Sequence, residues 1–388
     1  MKVLRVIFIV LALSLFAVPM IYFDSKSEKS DAENRMLSSK PFLLVDGRIN
    51  PKLFREYDAY LSDRFGFRNH LVSLNKIMQY TILNGNIFNE HALKGRDGWY
   101  FYLRDNNLGD FLKTNLMTQE QLDEFRMRLV SIVEWCHQHG FKVLFLVAPN
   151  KHSVYPEKYP FARPEGITRA DQLKSQFDSL GIPCLFLRDY LLSKKDESEY
   201  PLYWETDTHW NALGAYYGFQ CIEKEINLFF PNVNFPKNKY EREIEKSCLP
   251  SDIPVMLGQP RLEISYLVIP RYYNDNSFYT FINPSLKGGK QIWTDCYYYF
   301  QNVYLDNGNP NGIKTKSVDS SLPRAFVIRD SFCRALVPFL SPLFSETEYE
   351  WWNVFNVHDE NNKTRIIDFH PDIIIFEMVE RYFPYIAG

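Results

Sequence analysis

Apolar positions along this chain recur at two spacings, and the alternation between them sets out its elements. From Leu53 to Ile87 they follow a helical period around Asp63-Arg64-Phe65-Gly66-Phe67-Arg68-Asn69, which predicts helices broken by a turn at Gly66 and ending near Gly85. Gly95-Arg96-Asp97-Gly98 predicts a turn feeding a strand at Trp99 to Tyr102. A longer helix is expected after Thr118 and Gln121, which stand in capping-box register; it runs through Trp135 and stops at Gly140. Phe141 to Ala148 is then almost continuously apolar and ends at Pro149, as a parallel strand covered on both faces should be. The plan repeats with a helix from Thr168 to Leu180, Gly181, and a strand from Ile182 to Leu187. Further strands are expected at Ala325 to Ile328 and Asp372 to Glu377, with a helix over 332–340. This βαβ rhythm predicts a doubly wound, mostly parallel α/β sheet. Residues 230–322, rich in Asn, Pro, Gly and Tyr, break the rhythm and read as an inserted, partly β subregion.

The N-terminus follows a different pattern. Met1-Lys2-Val3-Leu4-Arg5 is basic, and Val6 to Phe23 is an uncharged run of 18 residues, close to the roughly 20 needed to cross a hydrocarbon core as a helix. No Ala-x-Ala cleavage site follows, so residues 1–23 read as an uncleaved signal anchor, with the rest of the chain on the extracytoplasmic (periplasmic) side of the inner membrane. Residues 24–40 are polar and unpatterned, a flexible tether; 41–95 read as a helical extension and 96–388 as the main domain.

Composition narrows the function. With 46% hydrophobic residues the chain can close a large core, and a net charge of −3 with interspersed signs gives no footprint for nucleic acid. The six cysteines are widely spaced and include no CxxC pair, which argues against a zinc knuckle or a thioredoxin-like site; buried thiols are expected. Aromatic content of 16% suits stacking on sugars as well as core packing.

Chemistry concentrates in two stretches. Asp207-Thr208-His209-Trp210-Asn211 places a carboxylate two residues before an imidazole, which in extended backbone point the same way, so Asp207 can fix the tautomer of His209 as a general base. Among the eight histidines, His137 and His139 end a helix, and His70, His91 and His152 have no carboxylate at a useful spacing. His358-Asp359 and Asp368-x-His370 remain competing pairs. The nucleophile is expected at Ser331, where the apolar strand of Phe326 to Ile328 ends and a helix begins, so that its amide and the helix dipole would favour an oxyanion. The alternative is that Asp330 or Ser331 only caps that helix. A divalent metal on Asp207 and His209 is a second alternative, but no HxxH or HExxH supplies further ligands, and neither metal nor cofactor is expected. Lys151 and Tyr155, just after the strand ending at Ala148, are expected to reach the same cleft and position substrate or support an oxyanion, the alternative being an ordinary surface-loop lysine and tyrosine.

Glu205-Thr206-Asp207-Thr208-His209-Trp210-Asn211 with Gly214-Ala215 resembles a signature of the alginate O-acetyltransferase AlgX/AlgJ-like family. Glu33-Asn34-Arg35, Asp63 to Arg68, Gly95-x-x-Gly98-Trp99-x-Phe101, Pro149-Asn150-Lys151 and Arg329-Asp330-Ser331-Phe332 resemble successive blocks of it. The resemblance implies an SGNH-hydrolase-like fold with permuted block order, the serine block following the Asp-x-His block. It implies Ser331 as nucleophile, His209 as base and Asp207 as its orienting acid, with Trp210 and Asn211 beside substrate. The implied reaction is acetyl transfer onto an exopolysaccharide through an acetyl-serine, fed by a multipass membrane O-acyltransferase as donor partner. A carbohydrate acetylesterase and a non-catalytic polysaccharide-binding assembly protein are the other readings. The family often has glycine two residues before the serine, where this chain has Arg329. Either the turn does not need positive φ, or Arg329 points into the cleft and binds an anionic sugar, or the site is degenerate.

Overall fold

The computed structural model describes residues 14, 21–27, 29–30, 35–45, 47–68, 71, 89–236, 239–245, 253–257, 267–273, 279–282, 290–292, 313–317, 319–352 and 356–386. Most of the expected membrane anchor, and the end of the helical extension before Asn89, lie outside these residues. Among the described residues no helix is long and apolar enough to cross a membrane. The chain divides into two units, 1–94 with 250–262, and 95–249 with 263–388.

In the smaller unit a two-residue hairpin, Leu44–Val45 with Arg48–Ile49, leads into a helix from Leu53 to Arg64. The stretch read as a free tether is partly tied down. Ser38 donates from its amide and hydroxyl to Asp63, and Arg64 donates to the carbonyls of Asp24, Ser27 and Ser38.

The larger unit is built on an eight-stranded mixed sheet. Its strands are β1 Lys142–Ala148, β2 Cys184–Phe186, β3 Tyr279–Ile282, β4 Lys290–Ile292, β5 Ile313–Ser317, β6 Arg324–Arg329, β7 Glu346–Trp351 and β8 Ile373–Val379. They lie in the order β4-β3-β5-β7-β6-β8-β1-β2. The pairs from β7 to β2 are all parallel, and those from β4 to β7 antiparallel. Strands β3, β4 and β5 come from the segment read as an insertion, so this part of it extends the main sheet. Another part pairs Lys239–Glu245 with Leu267–Tyr273 as an antiparallel ribbon.

Helices α1 Gln119–Gln138, α2 Arg169–Leu180 and α3 Glu360–Phe369 cover one sheet face. The expected capping box of Thr118 with Gln121 is present, and Thr168 forms a second with Asp171. Phe125, Leu129, Phe177 and Ile366 pack there against Phe145, Val147, Phe326 and Phe376. The alternating residues Leu144, Leu146, Val327 and Ile375 are equally buried on the opposite face. Both faces of the parallel strands are therefore dry, which is why their sequences are unbroken apolar runs.

Candidate active site

The functional side chains sit where parallel strands end. β6 ends at Arg329 and hands the chain to Asp330 and Ser331, and β1 ends at Ala148 before Pro149-Asn150-Lys151. In open α/β sheets this edge is where ligands bind.

The loop 202–211 brings the base across. Its two arms are joined by a bridge between Tyr203 and Trp210, and the Trp204 amide donates to the His209 carbonyl. The loop closes onto helix α4, Ala212–Phe229, whose N-cap is Asn211; its Oδ1 accepts from the Gly214 amide and its Nδ2 donates to the Pro201 carbonyl. Gly214 is required by this closure. A Cβ there would lie 2.2 Å from the Leu202 carbonyl oxygen, well inside contact distance.

Asp207, His209 and Ser331 meet in one chain of hydrogen bonds. Asp207 Oδ1 lies 2.7 Å from His209 Nδ1 and also accepts from the His209 amide, while His209 Nε2 lies 2.7 Å from Ser331 Oγ. With the Nδ1 proton donated to the carboxylate, Nε2 is left to accept from the hydroxyl, the tautomer that general-base chemistry needs. The His209 and Asp207 side chains are 25% and 24% exposed, so substrate can approach while the ring is held against Phe332 at 4.8 Å between centroids. The competing pairs do other work: Asp359 caps α3 by accepting from Asn361 and Asn362 amides, and His370 closes the same helix in left-handed conformation.

The serine turn is fixed from below. Asp330 is buried, accepting from the Phe332 amide at 2.7 Å and from the Val379 amide at 2.8 Å. This ties the turn to the end of β8. Beneath it Glu377 accepts from the Asp330 amide, and burial, reinforced by Asp330, pushes its carboxyl well above the ordinary range. Burial also raises Asp330. Arg334 lies on the same turn; burial lowers its guanidinium, opposed by Asp207. Instead of one helix over 332–340, the chain makes a 3-10 turn at Phe332–Ala335, a helical turn at Val337–Leu340 and another 3-10 turn at Ser341–Leu343. Pro338 and Pro342 each lack an amide donor, which breaks the run. The helix dipole expected behind Ser331 is correspondingly reduced to a single short turn.

The five residues expected at substrate are all buried in the supporting structure. Lys151 donates to the carbonyls of Tyr100, Trp204 and Glu205, and Tyr155 accepts from the Leu202 amide, so both brace the histidine loop. Trp210 donates to the Phe332 carbonyl, and Asn211 caps α4. Arg329 is fully buried over the Trp351 ring at 4.6 Å, with its pKa lowered to about 10 by burial. It does not take positive φ, so glycine is not needed there. Sequence spacing locates residues near a sheet edge, but not whether they face solvent or the neighbouring loop. Asp330, which the sequence offers as a helix cap, and Glu377, which it offers as an ion-pairing acid at the end of the last strand, instead support the serine turn by accepting backbone amides. Among the described residues no group of three or more His, Cys, Asp or Glu is placed to hold a metal ion. The buried thiols Cys136 and Cys333 are unpaired with another cysteine, and burial raises both.

Fold and site together are those of an SGNH-hydrolase-like α/β protein. Residues 92–275 match the family described as SGNH hydrolase-like domain, acetyltransferase AlgX; this region holds Asp207 and His209 and ends before Ser331. Over this region the chain is similar to the AlgX/AlgJ-like family. The probable alginate O-acetylase AlgJ of Pseudomonas aeruginosa is 25% identical over 251 residues, 63% of this chain and 59% of that protein. The chain thus matches about three fifths of the length of this curated relative. Among solved structures, Bacillus cereus PatB1 superposes with a TM-score of 0.52 at 16% identity, covering 74% of this chain and 95% of that one. PatB1 with a sulfonyl adduct gives 0.50 at 17% identity, covering 74% and 96%. These two likenesses concern the fold alone.

Proposed function

We propose that this protein is a membrane-anchored, extracytoplasmic O-acetyltransferase that esterifies hydroxyls of an exopolysaccharide of the alginate class through an acetyl-serine. The observation that carries the reading is the continuous hydrogen-bond chain from Asp207 through His209 to the Ser331 hydroxyl. The curated relative named as an alginate O-acetylase supports the substrate class.

In the first half-reaction Ser331 Oγ attacks the carbonyl carbon of an acetyl ester while His209 Nε2 takes the hydroxyl proton. Asp207 stabilises the imidazolium so formed. Ser331 heads the turn, and its amide N–H is the donor assigned to the carbonyl oxygen on which negative charge develops. Collapse expels the donor alkoxide, which takes the proton from Nε2. In the second half a sugar hydroxyl gives its proton to Nε2 and attacks the acetyl-serine, and Ser331 recovers its proton as it leaves. Attack by water instead would make the same site an esterase. The acetyl donor is a membrane O-acyltransferase partner delivering acetyl groups to this side, and the run Val6–Phe23 is the anchor.

The test incubates the protein with an acetyl-ester reporter and oligomannuronate as acceptor. Acetylated oligosaccharide is expected with the wild type and none with Ser331→Ala. Reporter hydrolysis with no acetylated sugar at any acceptor concentration overturns transfer in favour of an esterase.

A further inference from the structure

The helix Leu53–Arg64 in the smaller unit is built inside out. At 100° per residue, Leu53, Glu56, Tyr60, Asp63 and Arg64 share one side, and these are its less exposed positions. That side is mostly polar. It is occupied by the segment after Phe23, through the bonds from Asp63 to Ser38 and from Arg64 to Asp24, Ser27 and Ser38. The apolar residues Phe54, Tyr57 and Leu61, at i, i+3 and i+7, fall within a stripe of about 60° on a different side, and all three are exposed, Phe54 by 90%. The adjoining hairpin adds Leu44 and Ile49, a cross-strand pair that is also exposed. Monomeric proteins do not leave a concentration of large apolar side chains in water without a partner for it.

We propose that this apolar stripe lies in the interfacial layer of the lipid bilayer, the helix resting on the membrane surface beside the anchor. The inference rests on the anchor reading of Val6–Phe23. Its occupant is identified by where that run ends: the ring of Phe23 packs against Tyr60 and that of Tyr22 against Phe67, both tilted, and the amide of Asp24 donates to the Arg64 carbonyl. The last residues of the apolar run are therefore seated on this helix and on the turn that follows it. One residue of chain spans at most about 3.6 Å, so a bilayer-spanning helix ending at Phe23 keeps the Arg64 end of Leu53–Arg64 at the lipid surface. Arg48, Lys52 and Arg55 are exposed outside the stripe and Asp58 is exposed nearer to it, so the apolar residues carry the contact; an amphipathic helix with aromatic and leucine residues on its apolar side is the usual interfacial element.

The test uses the full chain in nanodiscs of phosphatidylethanolamine and phosphatidylglycerol, with the photo-reactive residue p-benzoylphenylalanine placed singly at Phe54, Leu61 or Ser62. Ser62 is exposed and lies more than a quarter-turn from the centre of the stripe. Irradiation is expected to give lipid adducts at Phe54 and Leu61 in several-fold excess over Ser62, read by mass of the protein. Adducts to a second protein chain, adducts within the chain, or equal lipid labelling at all three positions overturn the proposal. Alkaline extraction separates the two readings. A chain retained in the bilayer without lipid adducts at Phe54 and Leu61 refutes only the interfacial helix, and a chain that is released refutes the anchor and the helix with it. Neither outcome bears on acetyl transfer at Ser331, which the reporter assay reads independently.

Discussion

Trp210 donates its indole N–H to the carbonyl oxygen of Phe332 across 2.9 Å, so the residue after the base is bonded to the residue after the nucleophile. The two halves of the site come from segments 122 residues apart, and this buried bond joins them beside the contacts of His209 with Ser331 and Phe332. Trp210→Phe keeps most of the aromatic packing and removes the donor, leaving the Phe332 carbonyl unsatisfied at a cost of about 1–3 kcal/mol. A fall in kcat of roughly tenfold or more is expected with little change in KM, measured by steady-state reporter kinetics. An effect confined to KM contradicts this role.

His209→Ala should reduce turnover to the level of Ser331→Ala, because the two act as a unit. Asp207→Asn should retain the fold and lose on the order of 10²–10⁴ in kcat, since an amide can stabilise the wrong imidazole tautomer and does not stabilise imidazolium. The double variant His209→Ala with Ser331→Ala checks the unit: its loss should match either single change, and additive losses argue against the triad.

Much of this was readable from the chain. The parallel strands at Lys142–Ala148, Arg324–Arg329 and Ile373–Val379 follow from runs too apolar and too short for anything else, and helix α1 from its capping box. β7 was not readable, because Glu346-Thr347-Glu348-Tyr349-Glu350-Trp351 alternates acids with other residues and looks solvent-facing. Its Glu348 and Glu350 are buried and satisfied by Arg365, and Glu348 also by Lys314, partners far away in sequence. The pairing of Asp207 with His209 was visible as an i to i+2 spacing. The roles of Lys151, Tyr155 and Arg329 were not, since a polar side chain near a sheet edge reads the same whether it faces substrate or clasps a backbone carbonyl.

Lys151 offers a test of that distinction. Its ammonium is buried against the carbonyls of Tyr100, Trp204 and Glu205. Lys151→Met removes the charge with the stem retained and takes the ammonium donor from those carbonyls, of which that of Glu205 keeps another donor, the Tyr100 amide, so stability should fall by about 3 kcal/mol, or some 6 °C in thermal midpoint. kcat should fall with it as the histidine loop loosens, and KM for the acceptor should hold. A stable variant with KM alone raised would restore Lys151 as a substrate contact.

Glu377 gives stability a pH dependence of known sign. Its folded pKa lies above its unfolded one, chiefly through burial and secondarily through Asp330, so the folded state holds a proton the unfolded state has lost. This contribution is complete below the ordinary glutamate pKa and is lost as pH rises through the raised value. Glu377→Gln keeps an acceptor for the Asp330 amide and has no proton to lose. The thermal midpoint of the variant relative to wild type should therefore climb between pH 5 and pH 9, by several degrees. A constant difference across that range contradicts a raised Glu377.

The central claim is that Ser331 carries the acetyl group, and intact-mass analysis after a rapid quench with an acetyl-ester donor tests it most directly. The account predicts a mass increase of one acetyl group, mapped by digestion to the peptide containing Ser331, accumulating in the absence of acceptor and discharged by oligomannuronate, and absent from Ser331→Ala. An acetyl group on another residue that turns over at the same rate, or one that persists in Ser331→Ala, would contradict it.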